Sequence, residues 1–222
     1  AALCRELPGT MLLGVHPTGA FEKGTANVSS VHIDFLASFA PTTVVPTGEL
    51  FEAIFEVVTD AGYEAVRRDV SVALMLGDIP VDIVPARREA MTTDVHEIWL
   101  SRHGRPVKSN LTQHILDLQA SGRQEEIRVL KVWRDQHGLD FPSFYLDLSV
   151  LAALRRMPKG DLARNVWTVL GYFETLFSAR SILDPANANN ILSDQMSPAS
   201  KETVRRAAQA ARASRAWVEI ID

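Results

Sequence analysis

Cysteine is nearly absent: Cys4 is the only one among 222 residues, so no disulfide can close within the chain. That usage suits a reducing compartment such as the cytosol. No apolar run approaches the ~18 residues that a membrane-spanning helix needs. The first residues also lack a basic segment followed by a hydrophobic stretch, so a soluble cytoplasmic protein is expected. An excess of positive charge is missing too. With 23 Lys and Arg against 27 Asp and Glu, the net charge of −4 argues against a broad nucleic-acid footprint. There is no internal repeat and no low-complexity tract.

What is present is ordinary for a globular chain: 46% hydrophobic and 23% charged residues. The length suits one large domain or two small ones with a sizeable core. Pro8-Gly9 marks an early turn, and Met11 to Val15 reads as a first short strand. Val31 to Phe39 alternates and is rich in bulky residues, which predicts a strand. Pro41 to Gly48 predicts a loop, and Glu49 to Gly62 a helix, with Leu50, Ile54, Val57 and Val58 at helical spacing. Glu64 to Leu76 and Ile79 to Val84 read as two strands joined by a Gly77-Asp78 hairpin turn. Pro85 to Lys108 looks polar and irregular, a connector.

From Ser109 the pattern changes to helix. Leu111 to Ala120, Arg123 to His137, Ser143 to Met157, Leu162 to Phe177 and Pro198 to Val218 all show helical spacing. Ser197-Pro198 makes a cap and first turn. Asp184 to Asn190 (D-P-A-N-A-N-N) is too rich in Asn and Pro for a helix, and its side chains are expected to bond the loop's own backbone. The expected fold is therefore α/β (α+β): a small mixed sheet lobe over residues 1–108 and a helical lobe over 109–222, with a cleft between them.

The chemistry-bearing stretch is Gly19 to Phe39. A small-residue turn, Gly19-Ala20, is followed by Gly24-Thr25 and then by a strand carrying a lone Asp34. Glycine permits close backbone approach, so such a turn can direct N–H groups at phosphates. His32 and Asp34 stand two apart on a strand and share a face. Asp82 interrupts the apolar run I-P-V-D-I-V, where a carboxylate is costly unless a cation or strong hydrogen bonds compensate it. Asp34 and Asp82 can meet at a metal; the alternative is two separate strand-end acids facing water. For His32, a structural strand histidine is an equal alternative. Lys131, on the amphipathic helix E-I-R-V-L-K-V-W, reads on its own as a solvated lysine.

These segments resemble the DNA-polymerase-beta-like nucleotidyltransferases, in which G-S and G-T precede a strand bearing D-x-D. The likeness is greatest to bacterial relatives of cyclic GMP–AMP synthase and oligoadenylate synthetase. Five segments match in the family's order, from about Gly14 to Trp217, including V-K-S-N-L-T-Q-H with His114 in a structural role and S-I-L-D-P-A-N-A-N-N-I. Relatives usually carry a longer helix before the glycine turn, so an N-terminal piece is expected to be missing. Two positions depart from the pattern: Ala20 replaces the family serine and His32 the first aspartate.

The resemblance implies joining of nucleoside triphosphates into cyclic or linear oligonucleotides for antiphage signalling, with Mg²⁺ or Mn²⁺ as cofactor. It implies Asp34 and Asp82 as metal ligands and, with His32, the catalytic group. It further implies Gly19, Ala20, Lys23, Thr25, Lys131 and Ser143 as nucleotide-binding residues. It leaves room for a regulatory protein partner. Because an imidazole cannot bridge two Mg²⁺ ions as a carboxylate does, two alternatives stand beside this reading. One is a degenerate nucleotide-binding protein, natural or engineered; the other is transfer of a nucleotide to a small-molecule hydroxyl. Asp69 and Asp78 are candidates to replace the missing carboxylate.

Overall fold

The structure, a computed structural model, describes residues 12–28 and 32–221. The expected turn at Pro8-Gly9, Cys4, Met11 at the head of the first strand and Val31 at the head of the second lie outside the described residues. The chain forms two compact units, residues 12–23 with 32–116 and residues 24–28 with 117–221.

The first unit is built on a seven-stranded mixed sheet. Its elements are β1 (Leu12–Thr18), the short helix α1 (Gly19–Glu22), β2 (Ile33–Phe39), α2 (Thr47–Asp60), β3 (Ala65–Arg67), β4 (Val72–Leu76), β5 (Ile79–Arg88), β6 (His96–Leu100) and β7 (Arg105–Ser109). The strands run in the order β1-β2-β5-β4-β3, and β6 pairs with both β5 and β7. Only β2 and β5 are parallel; every other pairing is antiparallel.

Strand periodicity sorts the side chains of β2 onto two faces. Ala37 and Phe39 pack with Leu50, Phe51, Ile54 and Val58 of α2 and with Val81 and Ile83 of β5. Leu36, on the other face, packs with Val84, Ala86 and Ile98. Asp34 and Asp82 belong by alternation to this second face, at its end. The Leu50, Ile54 and Val58 row seen in the sequence is thus the buried stripe of α2.

Two expectations are corrected here. The run from Glu64 to Leu76 is not one strand, because residues 68–71 leave the ladder between β3 and β4. Pro85 to Lys108 is not an irregular connector, because it holds the end of β5 and all of β6 and most of β7. Its polarity hid the strands: Arg87, Glu97 and Lys108 are register neighbours on adjacent strands, and Arg87 bonds Glu97 at 2.7 Å. Opposite charges placed across a ladder support it as well as apolar pairs do. The Gly77-Asp78 hairpin forms as expected, with Leu76 opposite Ile79.

His96 is buried between these strands. Its Nε2 lies 2.8 Å from the Ser38 hydroxyl and its Nδ1 2.9 Å from the Asp94 carbonyl. Burial holds its pKa below the ordinary 6.5, with nearby Arg88 and His16 acting in the same sense and Asp94 against them. The unfolded chain therefore binds a proton that the native site resists, so this contribution is complete above pH 6.5 and is lost as pH falls through the lowered native value. Thermal melting followed from pH 7.5 down to 5 should show a steeper loss in the parent than in His96→Gln.

The helical region contains α3 (Leu111–Ser121), α4 (Gln124–Gln136), α5 (Ser143–Ala153), α6 (Leu162–Thr175) and α7 (Pro198–Ala213), with a hairpin of β8 (Leu183–Asp184) and β9 (Asn187–Ile191) before α7. All five helices were legible. Two end four or more residues short of the expected bound: α5 stops at Ala153, and α7 stops at Ala213, with a separate 3₁₀ turn at Trp217–Glu219. The core of the second unit is aromatic, with Phe141 at 5.0 Å from Phe177 and 5.2 Å from Tyr145, and Trp133 stacked on Phe173 at 5.9 Å. Such ring pairs each contribute about 0.5–1.5 kcal/mol beyond area burial.

A buried polar network ties the helix ends. The Arg123 guanidinium bonds Glu126 at 2.9 Å and the carbonyls of Leu154 and Met157, while Asn165 donates to Glu126 at 2.9 Å. The Asp184 carboxylate accepts from Ala186 N–H at 2.8 Å and from Asn190 at 3.1 Å, as its loop composition implied. Ser197 caps α7 through Ser200 N–H. His114 sits buried beside the Ser109 hydroxyl at 3.3 Å, a structural position.

Candidate functional site

Asp34 and Asp82 are direct register partners on the parallel pair β2 and β5. The sheet therefore sets two carboxylates side by side. His32 stands just before β2, with Nδ1 3.2 Å from Asp34 Oδ1 and 3.7 Å from Asp82 Oδ2. One donor atom from each of His32, Asp34 and Asp82 lies within 4.8 Å of the others. The three residues that the sequence singled out are thus one cluster within the first unit.

The electrostatics of the cluster are strained. Asp82 is only 5% exposed, and its Oδ1 is buried without a hydrogen-bond partner. Burial raises the pKa of Asp82, opposed by the nearby charges of Arg68 and His32 and by a hydrogen bond from Ser71. Interaction with Asp34 raises the pKa of His32 against the cost of burying its ring. The Arg68 guanidinium lies 3.5 Å from Asp82 Oδ2. Arg68 and Ser71 were not foreseen; they occupy the break between β3 and β4, where no periodic pattern marks them. Asp69 instead accepts from Arg102 N–H at 2.8 Å, and Asp78 lies in the hairpin turn.

A buried carboxylate oxygen without a donor beside a second carboxylate and an imidazole nitrogen is a set that fits a divalent cation. Two hard oxygens and one borderline nitrogen suit Mn²⁺ or Zn²⁺ at least as well as Mg²⁺.

Gly19 opens α1 directly over Asp34. Its φ is +70°, and a Cβ built there would fall 1.7 Å from Asp34 Oδ2. Glycine is required twice over, by backbone and by space. Gly19→Ala should therefore push Asp34 aside. The expected result is about 1 kcal/mol or more of lost stability from the left-handed backbone alone, with weaker Mn²⁺ binding by titration calorimetry. Ala20 follows in the same short helix, and Lys23, largely buried, closes it through its N–H to the Gly19 carbonyl at 3.2 Å.

A second group of sequence-selected residues lies in the second unit. Thr25 is fully buried, and its hydroxyl accepts from Lys131 Nζ at 2.9 Å. Lys131 is 3% exposed and also pairs with Asp147 Oδ1 at 3.0 Å. The solvated lysine that the helix suggests in isolation is thus a buried one. Ser143 Oγ accepts from Arg134 at 2.8 Å, and the same guanidinium bonds the Phe141 carbonyl at 3.1 Å. Asp147 and Arg134 were missed. For Asp147 a signal existed: a lone acid inside the apolar helix F-Y-L-D-L needs a buried cation.

No protein-family model matches the chain, and no curated protein matches it by sequence. Solved structures do. Escherichia coli MS115-1 CdnC with ATP superposes with a TM-score of 0.78 at 17% identity, covering 95% of this chain and 79% of CdnC. Vibrio cholerae DncV, a cyclic AMP-GMP synthase and prokaryotic homologue of cyclic GMP–AMP synthase, gives 0.67 at 12% identity, covering 93% of this chain and 66% of DncV. The poly(U) polymerase Cid1 bound to MgATP gives 0.61 at 13% identity, covering 95% of this chain and 83% of Cid1. The chain has the DNA-polymerase-beta-like nucleotidyltransferase fold, shared with CD-NTase second-messenger synthases.

Proposed function

We propose that this chain is a nucleotidyltransferase that joins nucleoside triphosphates into a linear or cyclic oligonucleotide signal, serving antiphage defence in the cytoplasm. The observation that carries the reading is the register pairing of Asp34 with Asp82, with His32 completing a three-donor cluster. His32, Asp34 and Asp82 would hold the divalent cation. When bound, such cations stabilise the attacking and leaving oxygens of an in-line displacement at an α-phosphate. Asp82, its basicity increased by burial, would accept a hydrogen bond from the attacking hydroxyl and orient it. Gly19 keeps the space over Asp34 clear, and the triphosphate-holding roles of Gly19, Ala20, Lys23, Thr25, Lys131 and Ser143 belong to the same proposal. CdnC has been solved in complex with a HORMA protein, which supports a regulatory protein partner here as well.

A second reading rests on Arg68. With the guanidinium beside Asp82 and His32 beside Asp34, the acids carry their own counter-charges. The chain would then bind nucleotides without turnover. The test is incubation with all four radiolabelled nucleoside triphosphates and Mg²⁺ or Mn²⁺, followed by separation of phosphatase-resistant products. A metal-dependent product supports the transferase. Triphosphate binding without product, converted to at least tenfold product formation by His32→Asp with Ala20→Ser, supports the degenerate binder. Failure of both proteins to yield any product or bind any triphosphate would sink both readings.

A further inference from the structure

The second unit carries a concave site of its own, and none of its lining residues is assigned above. An open pocket of about 370 Å³ is lined by Ala163, Arg164 and Trp167 of α6 together with Arg215, Trp217 and Ile220 from the segment after α7. Its volume falls in the range of small-molecule sites. The two indoles meet edge to face, with ring centroids 6.1 Å apart. Trp217 nevertheless remains 44% exposed, and Val218 beside it 68%. An indole left half in water by an otherwise well-packed aromatic unit is a surface held ready for a planar group.

Charges of both signs stand around it, but the carboxylates are engaged elsewhere than with the Arg164 and Arg215 side chains: Asp161 accepts from the Arg164 backbone N–H at 3.0 Å. Arg212 lies 4.9 Å over the Trp167 ring, but its guanidinium is already paired with Glu174 at 2.9 Å and bonds the Trp167 carbonyl at 3.1 Å. Glu219 accepts from the Arg215 backbone N–H at 2.9 Å. The side chains of Arg164 and Arg215 have no carboxylate or other hydrogen-bond partner among the described residues. A guanidinium is a planar fork matched to phosphate, and indole faces stack on bases.

We infer that this pocket is a ligand site for a planar aromatic anion of mononucleotide size, its ring held against Trp217 and Trp167 and its phosphate by Arg164 and Arg215. The inference does not depend on the transferase reading, since none of its residues belongs to the Asp34 and Asp82 cluster.

The test uses the whole chain labelled with ¹⁵N at its tryptophans, whose four indole signals separate the sites. Trp99 lies in the first unit and Trp133 in the aromatic core. Titration with AMP or GMP should shift the Trp167 and Trp217 signals saturably while Trp133 stays in place. Adenosine and inorganic phosphate should each bind at least tenfold more weakly. Arg164→Glu with Arg215→Glu, two exposed positions, should abolish the shift while leaving the melting temperature unchanged.

Unmoved Trp167 and Trp217 signals up to about 5 mM nucleotide would overturn the site, whatever the cluster at Asp34 does. Equal binding of adenosine, or an unaffected double variant, would overturn the anion-binding role of the arginines. Shifts produced by raising protein concentration alone, with a doubled sedimenting mass, would assign the face to a second copy and overturn the ligand.

Discussion

Asp82→Asn should reduce metal-dependent product formation by about 10²–10³-fold while leaving the melting temperature unchanged or higher. Loss of one preorganised charge at a reacting phosphate has that size of effect on rate. Asparagine matches the shape of aspartate and can still accept from Ser71, so the geometry of β5 survives the change. The stability arm follows from the direction of the shift. Burial raises the native pKa of Asp82, so near neutral pH the ionised form is held in the fold at a cost that the neutral amide does not carry. Rate and stability should therefore move apart. The measurement pairs initial rates across Mn²⁺ concentrations with calorimetric melting. A variant that keeps the parent's rate would remove Asp82 from the chemistry, and a variant that loses rate only in proportion to folded fraction would make its role structural.

Asp147→Ala should be the most destabilising single change in the second unit, by about 3–5 kcal/mol in denaturant unfolding. Asp147 is 1% exposed and Lys131 3%, paired at 3.0 Å. Removing the acid leaves a buried ammonium facing the Thr25 hydroxyl and carbonyl, at 2.9 and 3.4 Å. The double change Lys131→Met with Asp147→Leu removes both charges and should recover most of that loss, because a well-packed apolar pair often matches a buried ion pair in stability. If the single variant is as stable as the parent, the pair is not the anchor of residues 24–28 that its geometry indicates.

These two residues show what the sequence could reveal and what it could not. Asp34 and Asp82 were visible because each is a lone acid in an apolar strand, and their meeting follows from one parallel pairing. The buried stripe of α2 and the five helices from Leu111 onward were visible through spacing alone. Asp147 interrupts an apolar helix in the same way, but Lys131 lies on an amphipathic helix where it looks solvated, and nothing local says that the two pair. Arg68 carries no signal at all, since an arginine in a loop between strands looks solvated until the strands place it over Asp82. The strands β6 and β7 were hidden for a different reason. Their alternation is written in opposite charges rather than apolar residues, so a hydrophobic period could not find them.

β5 is the one strand that all of this leans on. Along one edge it bonds β2 for most of its length, and along the other it bonds β4 first and β6 afterwards. Its backbone amides have partners on both sides over most of the strand, and freeing them requires opening three neighbours together. In deuterium oxide the amides of residues 81–84, 86 and 87 (Pro85 has none) should therefore be among the last to exchange in the first unit, at rates set by global unfolding. The short edge strand β3, held by β4 alone, should exchange through local fraying. The carboxylate of Asp82 is thus mounted on the slowest-breathing stretch of the sheet, which keeps its position fixed against Asp34 on every timescale shorter than unfolding itself.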